Sequence, residues 1–74
     1  MDITQMKEGE KGKVIEIQGG RGLVSKLDSL GIRPGVEITK ISNQLLYGPV
    51  VVQVGNTQVA IGLGMARRVI VEHK

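Results

Sequence analysis

Several residue types that support chemistry are scarce in this 74-residue chain. Cysteine is absent, which excludes disulfide bridges, thiolate zinc sites and cysteine nucleophiles. His73 is the single histidine, so neither a multi-histidine metal site nor a Ser-His-Asp arrangement can form within one chain. Tyr47 is the single aromatic residue, which argues against a surface that stacks single-stranded bases.

Long apolar segments are also missing. No uninterrupted apolar run approaches the roughly 18 residues that a membrane-spanning helix requires. The first residues, 1–6, lack the basic and then apolar regions of a signal peptide. We therefore expect a cytosolic protein. A chain of this length has enough residues for one small core, and we expect one domain over residues 1–74.

The charge balance is mildly basic, with ten Lys and Arg against seven Asp and Glu and a net charge of +3. This sign permits nucleic acid as a partner but does not require it, and nucleic-acid binding by a small barrel is our alternative hypothesis. Acidic residues are interleaved with the basic ones, which favours a solvated surface of mixed charge. The candidates for a basic patch are Lys7, Lys11, Lys13, Arg67 and Arg68.

Short apolar runs between glycines predict β-strands joined by tight turns. Val50–Val54 is the strongest strand pattern, because β-branched side chains suit a pleated sheet. Gly55-Asn56 predicts a hairpin turn into a strand at Thr57–Ile61. Further strands are predicted at 13–17, from 36 to about 41 with a bulge near Thr39 and Lys40, and at 69–71.

One segment has helical rather than strand periodicity. Leu23, Leu27 and Leu30 recur at helical spacing and predict a helix after the first strand. Gly31 is expected in the left-handed conformation that commonly ends a helix. A shorter helical turn is predicted at 63–68.

A tight turn is predicted directly after this helix. Pro34 and Gly35 suit the second and third positions of a type II turn, which would deliver the chain into the second strand. Five strands with one helix inserted after the first predict an all-β fold, a small closed barrel.

The residues show no catalytic arrangement. The acidic side chains have no evident partner, and a general base needs a positioned companion and a pocket. The glycine-rich stretch 19–22 lacks the third glycine of a dinucleotide-binding loop, so we interpret it as a structural loop. Glu72 and His73, with Asp2, offer at most a weak metal site, although a metal that bridges two chains stays open.

The loop between the second and third strands is unusually apolar. A connection of this kind is normally polar, so its leucines and tyrosine either fold over the barrel mouth or contact a partner. We keep both alternatives and take the loop as the candidate partner-binding surface. Its residues are Leu45, Leu46, Tyr47, Gly48 and Pro49.

Several separate motifs of the chain resemble the FeoA family, and they follow one another in the family's order. Together they cover nearly the whole sequence, and the stretch from the end of the helix into the turn is the most specific. The matching stretches are Met6-x-x-Gly9-x-x-Gly12-x-Val14-x-x-Ile17, Leu27-x-x-Leu30-Gly31-Ile32-x-Pro34-Gly35, Gly48-Pro49-Val50, Val59-Ala60-Ile61 and Ala66-x-x-Val69-x-Val71.

This resemblance implies an SH3-like β-barrel without enzymatic activity and without a cofactor. It also implies a partner, the ferrous iron transporter FeoB, contacted through its cytoplasmic GTPase portion. No catalytic or metal-binding residue is carried over from the family. The resemblance therefore predicts an accessory protein of ferrous iron transport that modulates the transporter's activity or assembly.

Overall fold

The computed structural model describes residues 1–42 and 48–73. A short 3-10 turn at Ile3–Gln5 precedes five strands and two helices. In chain order these elements are β1 (Lys11–Ile17), α1 (Arg21–Ser29), β2 (Glu37–Ser42), β3 (Val50–Val54), β4 (Thr57–Ile61), α2 (Leu63–Ala66) and β5 (Val69–His73).

The five strands form one antiparallel sheet in the order β4-β3-β2-β1-β5. This confirms the predicted all-β architecture with one helix after the first strand and a helical turn before the last. The prediction that the barrel is closed is wrong for the strand pairing: among the described residues it begins at β4 and ends at β5, so these two strands are edges rather than neighbours. Helix α2 connects them, and its Ala66 is fully buried.

Two irregularities bend the sheet. The bulge predicted in β2 appears as a register shift between Lys40 and Ser42 in the pairing with β3. A second shift, between Val14 and Glu16, interrupts the pairing of β1 with β5 and was not predicted. Such bulges increase the local twist and let short strands curve around one core.

The core lies between the concave face of the sheet, α1 and the N-terminal segment. Its hydrophobic members, as far as the structure describes the chain, are aliphatic and methionine side chains. Its buried hydrophobic members are Ile3, Met6, Val14, Leu27, Ile32, Ile38, Val50, Val52, Ile61, Ala66, Val69 and Val71.

Helix α1 ends where the sequence places its terminating glycine. Gly31 has a φ of 88°, in the left-handed region, and its N–H donates to the Asp28 carbonyl at 2.9 Å. The Ile32 N–H donates to the Leu27 carbonyl at 2.9 Å. These two bonds are the Schellman pattern, which satisfies carbonyls at the helix end and turns the chain back toward the core.

The next turn joins α1 to β2. Gly35 has a φ of 96°, and the Val36 N–H donates to the Arg33 carbonyl at 3.2 Å, as a type II turn requires. The Gly35 N–H donates to the Val14 carbonyl at 2.7 Å, and the Val14 N–H donates to the Val36 carbonyl at 2.8 Å. The turn is therefore fixed to β1 as well as to β2.

The N-terminal segment pairs with the outer edge of β5. Asp2 forms an isolated antiparallel bridge with Ile70, and the Val71 N–H donates to the Met1 carbonyl at 2.7 Å. Asp2 also caps the 3-10 turn, since the Thr4 N–H donates to its Oδ1 at 2.8 Å. Neither helix in the described part of the chain is long and apolar enough to cross a lipid bilayer.

Candidate interaction site

The predicted partner-binding loop is only partly covered by the structure. Leu45, Leu46 and Tyr47 lie outside the described residues. Pro49 is exposed and Gly48 is half-buried, directly before β3. The assignment of this loop as a contact surface therefore stays a prediction.

An open cleft of about 820 Å³ lies along α1, on the side away from the core. The glycine-rich loop before the helix forms one end, and the turn after the helix forms the other. Its lining residues are Gly19, Gly20, Arg21, Gly22, Val24, Ser25, Asp28, Arg33 and Pro34.

The composition of α1 explains why this face is open. Leu27 is the one fully buried residue of the helix, while Val24 is 39% exposed although it is apolar. Gly20 and Gly22 contribute no side chain, and a Cβ added at either would meet nothing within 4 Å. The glycine end of the cleft is therefore bounded by backbone, and Val24 is an exposed aliphatic side chain among the lining residues.

Charged groups at the cleft are mainly basic. The Arg33 Nε donates to the Asp28 Oδ1 at 2.6 Å, and the Arg33 Nη2 donates to the Asp28 carbonyl at 3.3 Å. Both side chains are more than half exposed, so this pair contributes little to stability. Asp28 is paired with Arg33, and Arg21 lines the same cleft. The local electrostatic field therefore favours a partner segment that carries an acidic group beside an apolar group.

A buried lysine is the feature that the sequence reasoning missed. Lys40 in β2 has no exposed surface, and its Nζ donates to the carbonyls of Ile3 at 2.8 Å and Met6 at 3.0 Å. Burial lowers the pKa of Lys40, and the carboxylates of Asp2, Glu10 and Glu8 partly oppose that shift.

Through its two hydrogen bonds, the Lys40 side chain anchors the N-terminal 3-10 turn to the sheet. Its position two residues after the core residue Ile38 was the available signal.

The single histidine, His73, pairs with an acidic residue that the sequence analysis did not associate with it. The Nδ1 of His73 lies 2.5 Å from the Oε2 of Glu10, and the Lys7 N–H donates to the other carboxylate oxygen at 2.8 Å. The Lys7 N–H bond is the main reason that the pKa of Glu10 is lowered, and His73 adds to it. Within residues 1–42 and 48–73, no three potential metal ligands among His, Cys, Asp and Glu converge.

We expect replacement of Glu10 by glutamine to lower the melting temperature modestly at neutral pH. The pKa of Glu10 is lower in the folded chain than its ordinary value of 4.5, so its stabilising contribution is present above 4.5 and is lost as the pH falls through the lowered pKa. The difference in melting temperature between Glu10→Gln and the wild-type protein should therefore become smaller below pH 4.5.

Thermal unfolding, monitored by circular dichroism at several pH values from about 3 to about 7, measures this difference in melting temperature. Glu16→Gln, at an exposed position of β1, is the matched control. A difference that stays constant across the range would contradict a role for the Glu10 carboxylate.

The fold and its elements agree with known proteins along nearly the whole chain. Residues 1–73 match the family model of the FeoA domain. A protein of Methanocaldococcus jannaschii named "Putative Fe(2+) transport protein A" is 39% identical over 66 residues, which cover 89% of this chain and 78% of the relative.

Two solved structures share the fold and are described as FeoA proteins. An iron uptake regulatory protein (FeoA) is 36% identical, with a TM-score of 0.91 over 100% of this chain and 96% of its own. FeoA of Stenotrophomonas maltophilia, a prokaryotic SH3 domain protein complexed with zinc, is 25% identical, with a TM-score of 0.82 over 97% of this chain and 89% of its own. The predicted SH3-like fold is thereby confirmed, and the chain belongs to the FeoA family.

Proposed function

We propose that this protein is a non-enzymatic accessory protein of ferrous iron transport that binds the cytoplasmic GTPase region of the transporter FeoB. The family match over residues 1–73 is the observation that carries this proposal. The name of the M. jannaschii relative associates that protein with Fe(2+) transport. Binding to the cytoplasmic part of the transporter would place the protein in the cytosol and let it modulate transport or assembly.

The chemistry of the described residues supports a binding role over catalysis. The cleft along α1 contains no histidine among its lining residues, and Asp28, its one carboxylate, is paired with Arg33. A general acid or base needs a positioned partner and a pocket that holds the substrate. The buried lysine, Lys40, is committed to backbone carbonyls.

Two surfaces are proposed for the contact. One is the apolar loop Leu45–Pro49, which is a proposal from composition. The other is the cleft along α1, where Val24 is exposed and the basic residues Arg21 and Arg33 also line the surface. An apolar centre with a charged rim is the usual anatomy of a specific protein–protein contact.

We expect Val24→Asp to weaken binding to the cytoplasmic GTPase region of FeoB by about tenfold or more, which corresponds to about 1.4 kcal/mol. The new carboxylate would be desolvated against an apolar group of the partner, and it would reduce the basic character of the cleft that favours an acidic group on the partner. The double variant Leu46→Asp, Tyr47→Ala tests the loop in the same way. Titration calorimetry with the purified cytoplasmic region of FeoB measures each affinity.

Ile15→Asp is the matched control, because Ile15 is an apolar residue of β1 that is 49% exposed and does not line the cleft. If Val24→Asp and the loop variant both bind with wild-type affinity, neither proposed surface takes part in the contact. No binding of the wild-type protein, together with salt-sensitive binding to DNA or RNA, would instead favour the nucleic-acid alternative.

A further inference from the structure

The two edges of the sheet are protected to different degrees. The outer edge of β5 is paired with the N-terminal segment through the bridge between Asp2 and Ile70 and the bond from Val71 to Met1. No strand or bridge among the described residues pairs with the outer edge of β4. β4 is therefore the edge whose backbone groups are available to another chain.

The hairpin geometry identifies which groups of β4 point outward. Val54 and Thr57 pair across the two-residue turn, so their N–H and C=O groups bond to each other. Bonded and non-bonded pairs alternate along an antiparallel ladder, which directs the backbone groups of Thr57, Val59 and Ile61 toward β3. The N–H and C=O groups of Gln58 and Ala60 consequently point away from the sheet.

This edge lacks the features that normally block strand addition. Natural edge strands are interrupted by charged side chains, prolines or bulges. The sequence of β4, Thr57–Ile61, contains no charged residue and no proline. Its five pairs with β3 run in one unbroken register, unlike the pairings that contain the bulges of β1 and β2.

We propose that β4 pairs antiparallel with β4 of a second copy of this chain, about a twofold axis at Val59. In this register Gln58 lies opposite Ala60 of the partner subunit, and Ala60 lies opposite the partner's Gln58. Both are hydrogen-bonded pairs, and each pair makes two hydrogen bonds. The outward N–H and C=O groups of Gln58 and Ala60 are therefore all paired in both copies, through four hydrogen bonds in total. A shift of two residues would leave half of those groups unpaired.

The side chains are compatible with self-pairing. Val59 lies on the core face of the sheet, opposite the buried Val52, and is only half-buried in one copy. At the twofold axis it would face the Val59 of the partner subunit, and a non-bonded pair brings opposed side chains close together. Because β4 is uncharged, two copies meet there without like-charge repulsion despite the net charge of +3.

A five-residue strand makes a small interface, so we expect a dimer that depends on protein concentration. In sedimentation velocity the mean mass should rise from that of one chain toward that of two between about 10 µM and about 1 mM protein. In amide hydrogen exchange the Gln58 and Ala60 amides should become at least about tenfold slower over the same range. The Val59 amide, which bonds to β3, should not change.

Ala60→Pro tests the register directly. Proline removes the outward N–H of Ala60 but no bond to β3, a placement that edge strands tolerate. We expect Ala60→Pro to stay in the one-chain state at about 1 mM protein. Ala60→Lys provides a second variant that needs no backbone adjustment, and Ser29→Lys, at an exposed position of α1, is its charge-matched control.

Three results would overturn this dimer. The first is a one-chain mass at about 1 mM wild-type protein without slowed exchange at Gln58 and Ala60. The second is a dimer that Ala60→Pro and Ala60→Lys leave intact. The third is slowed exchange of these amides only after an extended segment of another protein is added, which would assign the edge to a different partner. None of these results depends on whether FeoB binds.

Discussion

Replacing Leu27 with alanine is expected to destabilise the protein by about 2–5 kcal/mol, the range for truncation of a buried leucine. Leu27 is fully buried and is the one residue of α1 that is completely within the core. Truncation leaves a cavity between the helix and the sheet and removes the main contact that holds α1 in place. A domain of this size has roughly 4–11 kcal/mol of total stability, so a large part of it depends on this side chain.

Urea unfolding of Leu27→Ala, with the midpoint and the slope fitted separately, measures this loss. Val24→Ala is the control, because it removes apolar atoms from an exposed position of the same helix. Its effect should stay within about 0.5 kcal/mol. Equal losses for the two variants would contradict the assignment, because a substitution to alanine does not lower helix propensity and, of the two side chains, only that of Leu27 is buried in the core.

Replacing Lys40 with methionine is expected to destabilise the protein by about 1–3 kcal/mol, the cost of leaving a buried acceptor without its hydrogen bond. The Met6 carbonyl loses its bond from the Lys40 Nζ, whereas the Ile3 carbonyl keeps the bond from the Met6 N–H. Methionine has nearly the same length and fills the same space. The loss therefore reports the hydrogen bonds rather than a cavity.

The pH dependence of the stability distinguishes Lys40 from a residue that contributes by packing alone. Because the pKa of Lys40 is lowered in the folded chain, the unfolded chain binds more protons between that pKa and 10.5. Wild-type stability should gain from Lys40 as the pH rises through this window, and Lys40→Met should not show that gain. Lys13→Met, at an exposed position of β1, is the control. An identical pH profile for Lys40→Met and wild type would contradict the assignment.

Local patterns were sufficient for most of the secondary structure. Val50–Val54 and Thr57–Ile61 have the predicted bounds, because β-branched runs and a two-residue turn specify a hairpin without help from distant residues. The end of α1 is equally local, since the left-handed φ of Gly31 and the Schellman bonds involve neighbours in sequence.

Elements that depend on distant partners were predicted less well. The 3-10 turn at Ile3–Gln5 escaped the sequence analysis, because three residues carry no periodicity and the turn is held by Lys40. The bulge between Val14 and Glu16 is likewise set by the pairing of β1 with β5. From the sequence, His73 was considered only as a weak metal ligand with Glu72 and Asp2, whereas the structure brings it to Glu10 through the same pairing of distant strands.

The sequence by itself determined the strand and helix order, the turn glycines and the resemblance to the FeoA family, all of which follow from residues close together along the chain. Tertiary structure alone decided that the outer edge of β4 pairs with no strand in the described part of the chain, that α1 borders a cleft and that a lysine is buried beneath the N-terminal turn. The physical reason is that burial and pairing depend on which distant backbone groups meet, and a polar side chain is stable in the core only where such groups accept its hydrogen bonds.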